Sequence, residues 1–264
     1  MRSPIVNELG RYRLPALHHA LDVLEALRGR QEGVGLAEIA QAAGLGKPGA
    51  HRILRNLLDR GYVVKDPASG RYSLGLRVWE LGVSVGWLCA LQQYLGCRMQ
   101  GLASELRETI HLAMLDGGEV VYLDKAETPQ SVRAYANVGD RTPAYCVATG
   151  KVLLSLQPPA YLDRLLSGQR LIGYTPNTIT DVARLRAHLD QVRRQGYALN
   201  LGEWREGVNG VAVALRWSPA APVVALGVAG PAYRFGVSEA TAAVSLLNET
   251  VRAVAQAAAR DAPD

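Results

Sequence analysis

Apolar residues recur at helical spacing three times in the first sixty positions, and the third recurrence carries its charges on one side. Leu17, Ala20, Leu21, Leu24 and Leu27 predict a helix over about 16–28. Leu36, Ile39 and Ala40 predict a second over about 36–43. In a third, Ala50, Ile53, Leu54, Leu57 and Leu58 gather on one side, while Pro48, Arg52, Arg55, Asn56 and Asp59 gather on the other, with Lys47 and His51 on the flank. Gly44 and Gly46 bracket the turn, where positive φ is tolerated, Pro48 suits a first helical turn, and Gly61 ends the helix. Val63–Lys65 and Arg71–Leu74 then pair across Asp66–Gly70, with Arg71 near the tip. Helices, turn and hairpin in that order predict a winged helix-turn-helix, which lays its exposed helix in a DNA major groove. The candidate DNA contacts are Lys47, Pro48, His51, Arg52, Arg55, Asn56 and Arg71.

Leu76–Tyr94 predicts one more helix, apolar on two faces: Trp79, Val83 and Trp87 on one, Leu81, Val85 and Leu88 on the other. Such a surface must be buried, and a subunit interface is the expectation. From about Gly96 the pattern mixes helix and strand. A helix runs to about Arg107. Ile110–Leu115 and Val120–Lys125 alternate around Asp116-Gly117-Gly118 as a hairpin, and Val132–Asn137 reads as a third strand. Tyr145–Leu156 and Ala160–Leu166 read as helices. Asp181–Gln195 is a clear amphipathic helix with Gly196 as its C-cap. Tyr197–Leu201, Val208–Arg216 and Val223–Ala229 read as strands, and Ser238–Ala259 as a final helix. The expected organisation is a winged domain over 1–75, a linker helix over 76–95 and an α+β sensor-type domain over 96–264.

Charge sharpens this division. Residues 1–77 hold twelve Lys/Arg against seven Asp/Glu, and residues 78–264 hold seventeen of each. The whole excess of +5 lies with the winged pattern, as a nucleic-acid contact requires. No apolar run approaches a membrane span or a signal segment, so the cytoplasm is the expected compartment. Cys89, Cys97 and Cys146 form no CxxC pair and suggest reduced thiols rather than a disulfide framework or zinc site. Cys146 with His111 would be a thiol and a base, but no acid is evident to orient the histidine. Gly150-Lys151 lacks the upstream glycine and the following Ser/Thr of a phosphate loop. Asp124, Glu127, Asp140 and the histidines lack metal-ligand spacing. No catalytic residue, metal or cofactor is expected.

The segments GLGKPGAHRILRNLLDRGYVVKD, GRYSLGLRVWELG, HLAMLDGGEVVYLDKAE, VGDRTPAYCVATGKVLLS, RRQGYALN and GVAVALRWSPAAPVVALGVAGP together resemble the IclR family of bacterial transcriptional regulators, over nearly the whole length. The resemblance implies a linker helix and a GAF-like effector-binding domain behind the winged one, working as a homodimer or dimer of dimers on double-stranded operator DNA. It implies a small-molecule effector held by Ser131, Ala134, Thr142, Ala148, Thr149, Asn200, Val208, Gly210, Gly227 and Ala229. Two departures stand out. Gly46, Pro48 and Gly49 replace the Ser/Thr residues usual at the start of the recognition helix. Asn200 replaces an acid, and Gly210 a small polar or thiol residue. An anionic or larger effector is the expectation, anchored by N–H groups near Ala148–Gly150. The alternatives from other classes are a small-molecule enzyme and a ligand-free interaction protein, each with an appended winged domain.

Overall fold

The computed structural model describes residues 14–30, 32–134, 136–168, 170–218 and 221–261, so the basic arm over 1–13 lies outside the described residues. The chain divides between Cys89 and Ala90 into two compact units.

The N-terminal unit comprises helices α1 (Pro15–Ala26), α2 (Leu36–Ala42) and α3 (Lys47–Asp59), strands β1 (Val63–Lys65) and β2 (Tyr72–Leu74), and helix α4 (Leu76–Val83). Val23, Leu27, Val34, Ile39, Ala43, Leu54, Val63 and Tyr72 make its core. The wing is antiparallel from Val63 opposite Leu74 to Lys65 opposite Tyr72, and a bridge from Val34 to Tyr72 adds a third rung. Its tip is built on Asp66, whose carboxylate accepts from the Ser69 N–H at 2.9 Å and the Ala68 N–H at 3.3 Å. Of the two turn glycines, only Gly44 has positive φ (64°), whereas Gly46 sits at −70° as the N-cap of α3.

The single linker helix expected over 76–95 is instead two helices. α4 stops at Val83, and α5 (Gly86–Leu106) runs unbroken through Gly96 and across the boundary between units. Gly82, Ser84, Val85 and Gly86 are weak helix formers set side by side. Ser84 N–H and Val85 N–H close tight bonds to the Leu81 and Gly82 carbonyls, and the Ser84 hydroxyl donates to the Glu80 carbonyl at 3.0 Å, which finishes the turn. α4 buries none of its residues, leaving Leu76, Trp79 and Leu81 exposed, as are Leu17 and Leu21 of α1.

The C-terminal unit is one six-stranded antiparallel sheet with helices. Its strands are β3 (Thr109–Asp116), β4 (Glu119–Ala126), β5 (Arg141–Pro143), β6 (Tyr197–Leu201), β7 (Val208–Leu215) and β8 (Val224–Pro231), in the order β5-β4-β3-β8-β7-β6. Its further helices are α6 (Ala148–Ser155), α7 (Pro159–Leu166), α8 (Val182–Gln195) and α9 (Val237–Arg260). Asp181 caps α8 by accepting from the Arg184 N–H at 2.7 Å, and Gly196 closes it at φ 81°. The strand expected over Val132–Asn137 is absent among the described residues. The free edge of β4 is taken further along the chain, where Arg141–Pro143 pairs with Glu119–Val121 and Gly139 N–H donates to the Tyr122 carbonyl at 2.7 Å. The helix expected over 145–156 is split by extended Val147 into a 3-10 turn (Ala144–Cys146) and α6.

Alternation along the strands gives the sheet two faces. Ile110, Leu112, Val211, Val213, Leu226 and Val228 are buried on one. The other, carrying Ala113, Ala198, Ala212 and Ala225, packs with α6 and α8 residues in one core. Side chains this small let α6 approach closely, and every residue of α6 is buried. The closest approach is at Gly150, where a Cβ would stand 2.1 Å from the Ala144 carbonyl oxygen. Lys151 is carried into the interior with the helix and pairs there with Glu203.

Gly150→Ala should therefore destabilise the chain by about 3 kcal/mol or more, since backbone rather than a flexible side chain must give way. Urea denaturation followed by circular dichroism measures this, and a gain of about 1 kcal/mol, as for alanine replacing an exposed helix glycine, would show that the contact can relax. Acid should also weaken the fold. Burial brings the His111 imidazole down to about 4, with the Lys125 ammonium adding to it. Burial does the same to His188, to about 4, with Lys151 and Arg184 adding. An unfolded histidine protonates near pH 6.5. Stability is thus full above about pH 6.5 and is lost as pH falls towards 4, because the unfolded chain binds more protons in that window. His111 alone should account for up to roughly 3 kcal/mol. Urea midpoints between pH 7 and pH 4.5 should fall less steeply in His111→Phe than in the parent chain.

Candidate functional site

Two sets of residues carry candidate chemistry, one in each unit. On α3, Ala50 and Leu54 face the core, and Lys47, Pro48, His51, Arg52, Arg55 and Asn56 are all exposed on the outer face. Among the described residues no carboxylate pairs with Lys47, Arg52 or Arg55. Cations left unpaired in a row are suited to phosphates and guanine edges. The Asn56 amide is partly engaged, donating to the Arg52 carbonyl at 2.8 Å. With Gly46 as N-cap no side chain caps α3, and Pro48 has no N–H, so the Lys47 and Gly49 N–H groups are the donors the first turn can offer an anion.

Arg71 closes the tip of the wing just before β2, where its carbonyl accepts from the Asp66 N–H at 2.9 Å, but its guanidinium folds back, with Nε donating to the Gly33 carbonyl at 3.2 Å and an ion pair to Glu38 at 3.7 Å. Lys65, absent from the expected contacts, lines a cleft of about 200 Å³ with His51, Arg55, Leu58, Asp59 and Tyr72, its ammonium over the Tyr72 ring at 5.3 Å. Alternation along the wing strand would not have found it, because Val63 and Lys65 share one face of the strand, the first buried and the second exposed.

In the C-terminal unit, register brings most of the expected effector residues onto the α6-facing side of the sheet. One rung runs Thr109, Ala229, Gly210, Asn200 across β3, β8, β7 and β6. The next runs His111, Gly227, Ala212, Ala198. Val208 continues that face along β7. Thr149, in the first turn of α6, stands over Gly227, where a Cβ would come 2.9 Å from its Cγ2. Thr142 of β5 and Thr149 lie beside the half-buried Tyr122 phenol, whose ring packs against His111 with centroids 5.2 Å apart. Asn200 is 6% exposed, and its Oδ1 accepts from the Glu203 N–H at 2.8 Å. Ala148 is buried beside Thr149 at the start of α6.

Ser131 and Ala134 are the exceptions, sitting in the irregular segment between β4 and β5. That segment is pinned from outside the rungs. Thr128 Oγ1 donates to the Arg107 carbonyl at 2.8 Å, and Arg234 donates to the Val132 carbonyl at 2.7 Å while making two bonds to Glu108.

Two residues with no expected binding role occupy the same face. Thr109 Oγ1 and His111 Nε2 are buried and have no hydrogen-bond partner. Under α6, burial pushes the Lys151 ammonium down while Glu203 holds it up, and Glu203 Oε2 is itself unpartnered. Burial pushes the Cys146 thiol up to about 12, which leaves no thiolate for nucleophilic chemistry. Among the described residues no group of three His, Cys, Asp or Glu side chains could hold a metal ion, and no helix is long and apolar enough to cross a membrane.

Two family models match the chain, the IclR helix-turn-helix domain over residues 16–67 and the C-terminal domain of bacterial transcriptional regulator IclR over residues 89–257. An HTH-type transcriptional regulator of Mycobacterium tuberculosis is 36% identical, with 89% of each chain covered. The regulator KdgR of Escherichia coli is 32% identical, with 88% of each covered. Among solved structures, an IclR homolog from Microbacterium hydrocarbonoxydans complexed with 4-hydroxybenzoate superposes with a TM-score of 0.83 at 26% identity, covering 93% of this chain and 100% of that one. The IclR regulator of Alicyclobacillus acidocaldarius gives 0.79 at 30% identity, over 93% and 99%. These relatives are named as regulators and not as enzymes, so the reading of an enzyme with an appended winged domain falls away. This chain belongs to the IclR family of bacterial transcriptional regulators.

Proposed function

We propose that this regulator reads double-stranded operator DNA with the outer face of α3, and that an organic acid, aromatic acids included, sets its operator affinity by binding on the α6-facing side of the sheet. The observation that carries the reading is the row of unpaired cations Lys47, Arg52 and Arg55, with His51 exposed among them, on a helix whose opposite side is buried. Arg52 and Arg55 supply base or phosphate contacts, while Lys47 and the helix start grip the backbone in place of the missing hydroxyls. Lys65 joins them from the wing. The exposed apolar residues of α1 and α4 support a homodimer, which would present two recognition helices to successive major grooves. The proposed site of action is the cytoplasm.

The effector reading rests on Asn200, Gly210, Gly227 and Ala229 sharing one face beside the start of α6, and on the bound 4-hydroxybenzoate of the Microbacterium homolog. Asn200 brings no negative charge to that face. A carboxylate is then favoured by the N–H groups of α6 and opposed by no neighbouring acid in the same rung. The acid regulates only as far as it binds one arrangement of the dimer more tightly than the other.

On operator DNA recovered by selection from a random library, Arg52→Ala should weaken binding by roughly 1–3 kcal/mol, with the loss concentrated at one base position. Arg71→Ala should weaken it less and leave the slope of log K against log salt unchanged, because its guanidinium is tied to Gly33 and Glu38 rather than to a phosphate. A shallower slope would return Arg71 to the DNA contacts. For the effector, Asn200→Asp should lower the affinity of an acid ligand by roughly tenfold or more through like-charge repulsion. Calorimetric titration with the same acid at fixed pH reads this directly, and equal affinity would place the carboxylate away from β6.

A further inference from the structure

Helix α3 carries two exposed rows, and only one of them faces the wing. His51, Arg55 and Asp59 follow one another four residues apart, which stacks them along a single side of the helix. With Leu58 they form one wall of the cleft of about 200 Å³, and Lys65 and Tyr72 of the wing form the other. Arg52 and Asn56 do not line it. The two arginines of the recognition helix therefore face different surroundings.

The chemistry of the cleft suits a small anion that belongs to something larger. Sites that enclose a whole metabolite run from roughly 300 Å³ upwards and are mostly apolar. Here two cations, a histidine and a carboxylate stand around Leu58 and the buried Tyr72. The Lys65 ammonium is kept at the cleft by the Tyr72 ring beneath it, 5.3 Å away. Among the described residues neither Arg55 nor Lys65 is paired with a carboxylate, and Asp59 is in no ion pair. Two cations against one carboxylate leave the cleft a single net positive charge, which complements the single negative charge of a phosphodiester. Histidine is the side chain that changes charge between about pH 5 and pH 8. The groups facing His51 are Arg55 and Asp59 of its own helix, Lys65 of β1 and Tyr72 of β2. A helix lying in a major groove is bordered on each side by a phosphate strand. The wing stands on one side of α3, so the strand on that side runs into the cleft.

We infer that the cleft seats one backbone phosphate of the operator, gripped by Arg55 from the helix and Lys65 from the wing, with His51 joining as an imidazolium and Asp59 limiting the hold. This rests on the DNA reading above and divides its two arginines. Arg55 positions the backbone, and Arg52 is left to the base edges. Operator affinity then rises as pH falls through the histidine range, because a bound phosphate favours the protonated imidazole. Asp59 repels the same phosphate, so the chain binds DNA of any sequence less tightly than its cations alone would allow.

The test uses the full chain and an operator duplex selected from a random library, in which single phosphates are replaced in turn by uncharged methylphosphonates. In the parent, one replacement per half-site should weaken binding by roughly tenfold. Lys65→Gln and Arg55→Gln should each bind the unmodified duplex less tightly, and in both the replacement at that same phosphate should then change affinity less than about twofold, because its partner is already gone. Lys65→Arg should restore the sensitivity. Arg55→Gln should weaken selected and unrelated duplexes by the same factor, whereas Asp59→Asn should tighten both by about threefold or more. Affinity of the parent should rise between about pH 8 and pH 6 and stay level in His51→Gln. All four side chains are exposed, so each variant should melt at the temperature of the parent. Sensitivity lost at two different phosphates, or at none, would overturn the inference. So would weaker binding by Asp59→Asn, or a rise at low pH that survives in His51→Gln. Millimolar inorganic phosphate at constant ionic strength should not displace the duplex, and displacement would make this a site for free phosphate instead. A duplex that is bound without any of these couplings removes the phosphate clamp alone. A parent that selects no duplex removes the DNA reading, and the clamp with it.

Discussion

The C-terminal unit is organised around one buried charge. Lys151 is fully enclosed because α6 is, and α6 is enclosed because the strands beneath it present glycine and alanine. An ammonium in that setting is tolerable only with a partner at hand. Glu203 is the partner, and its position depends on hydrogen bonds at its own backbone. Asn200 Oδ1 accepts from its N–H, and Thr178 Oγ1 donates to its carbonyl at 2.6 Å. Thr175 donates to the Gly202 carbonyl next to it at 2.7 Å. The segment before α8 is thereby strapped to the end of β6. Asn200 is thus held by the same network that neutralises Lys151. Under the proposed function, the Asn200 amide is thereby oriented before any ligand arrives.

The winged unit meets the opposite problem, which is to leave charge unpaired. Its core is small, and the bridge between Val34 and Tyr72, with Arg71 reaching Gly33 and Glu38, ties the wing back to the segment ahead of α2. That frees the wing strands from having to hold themselves together. Among the described residues no carboxylate holds the cations of α3, which leaves them available for a polyanion. In the proposed DNA complex, the loss of hydroxyls at Gly46, Pro48 and Gly49 would shift the phosphate grip onto main-chain donors and long side chains. Such a grip depends more on long-range charge and less on fixed geometry, and its affinity should depend strongly on salt.

What could be read from the sequence follows from how many constraints each segment carried. The helix over 182–195 was legible because a capping aspartate, a regular apolar stripe and a glycine in the left-handed region all agree on its ends. The recognition helix was legible for the same reason. The break at Ser84–Val85 was missed because apolar residues continue across it, and periodicity registers hydrophobicity rather than the local bonds that end a helix. Val132–Asn137 was misassigned because alternation says that a segment could pair and not whether an edge is free, and the edge of β4 belongs to Arg141–Pro143. Of the residues on the α6-facing side of the sheet, those on β6, β7 and β8 were named through family resemblance. Thr109 and His111 were not, because β3 is buried on both faces over its first five residues and so shows no alternation. Their significance lies in an absent partner, which no sequence pattern can display.

That absent partner has a thermodynamic meaning. Thr109, His111 and the second oxygen of Glu203 are buried polar groups unmatched within the chain. Thr109 and His111 each lower the stability of the fold relative to an apolar replacement of the same shape, whereas Glu203 is needed to neutralise Lys151.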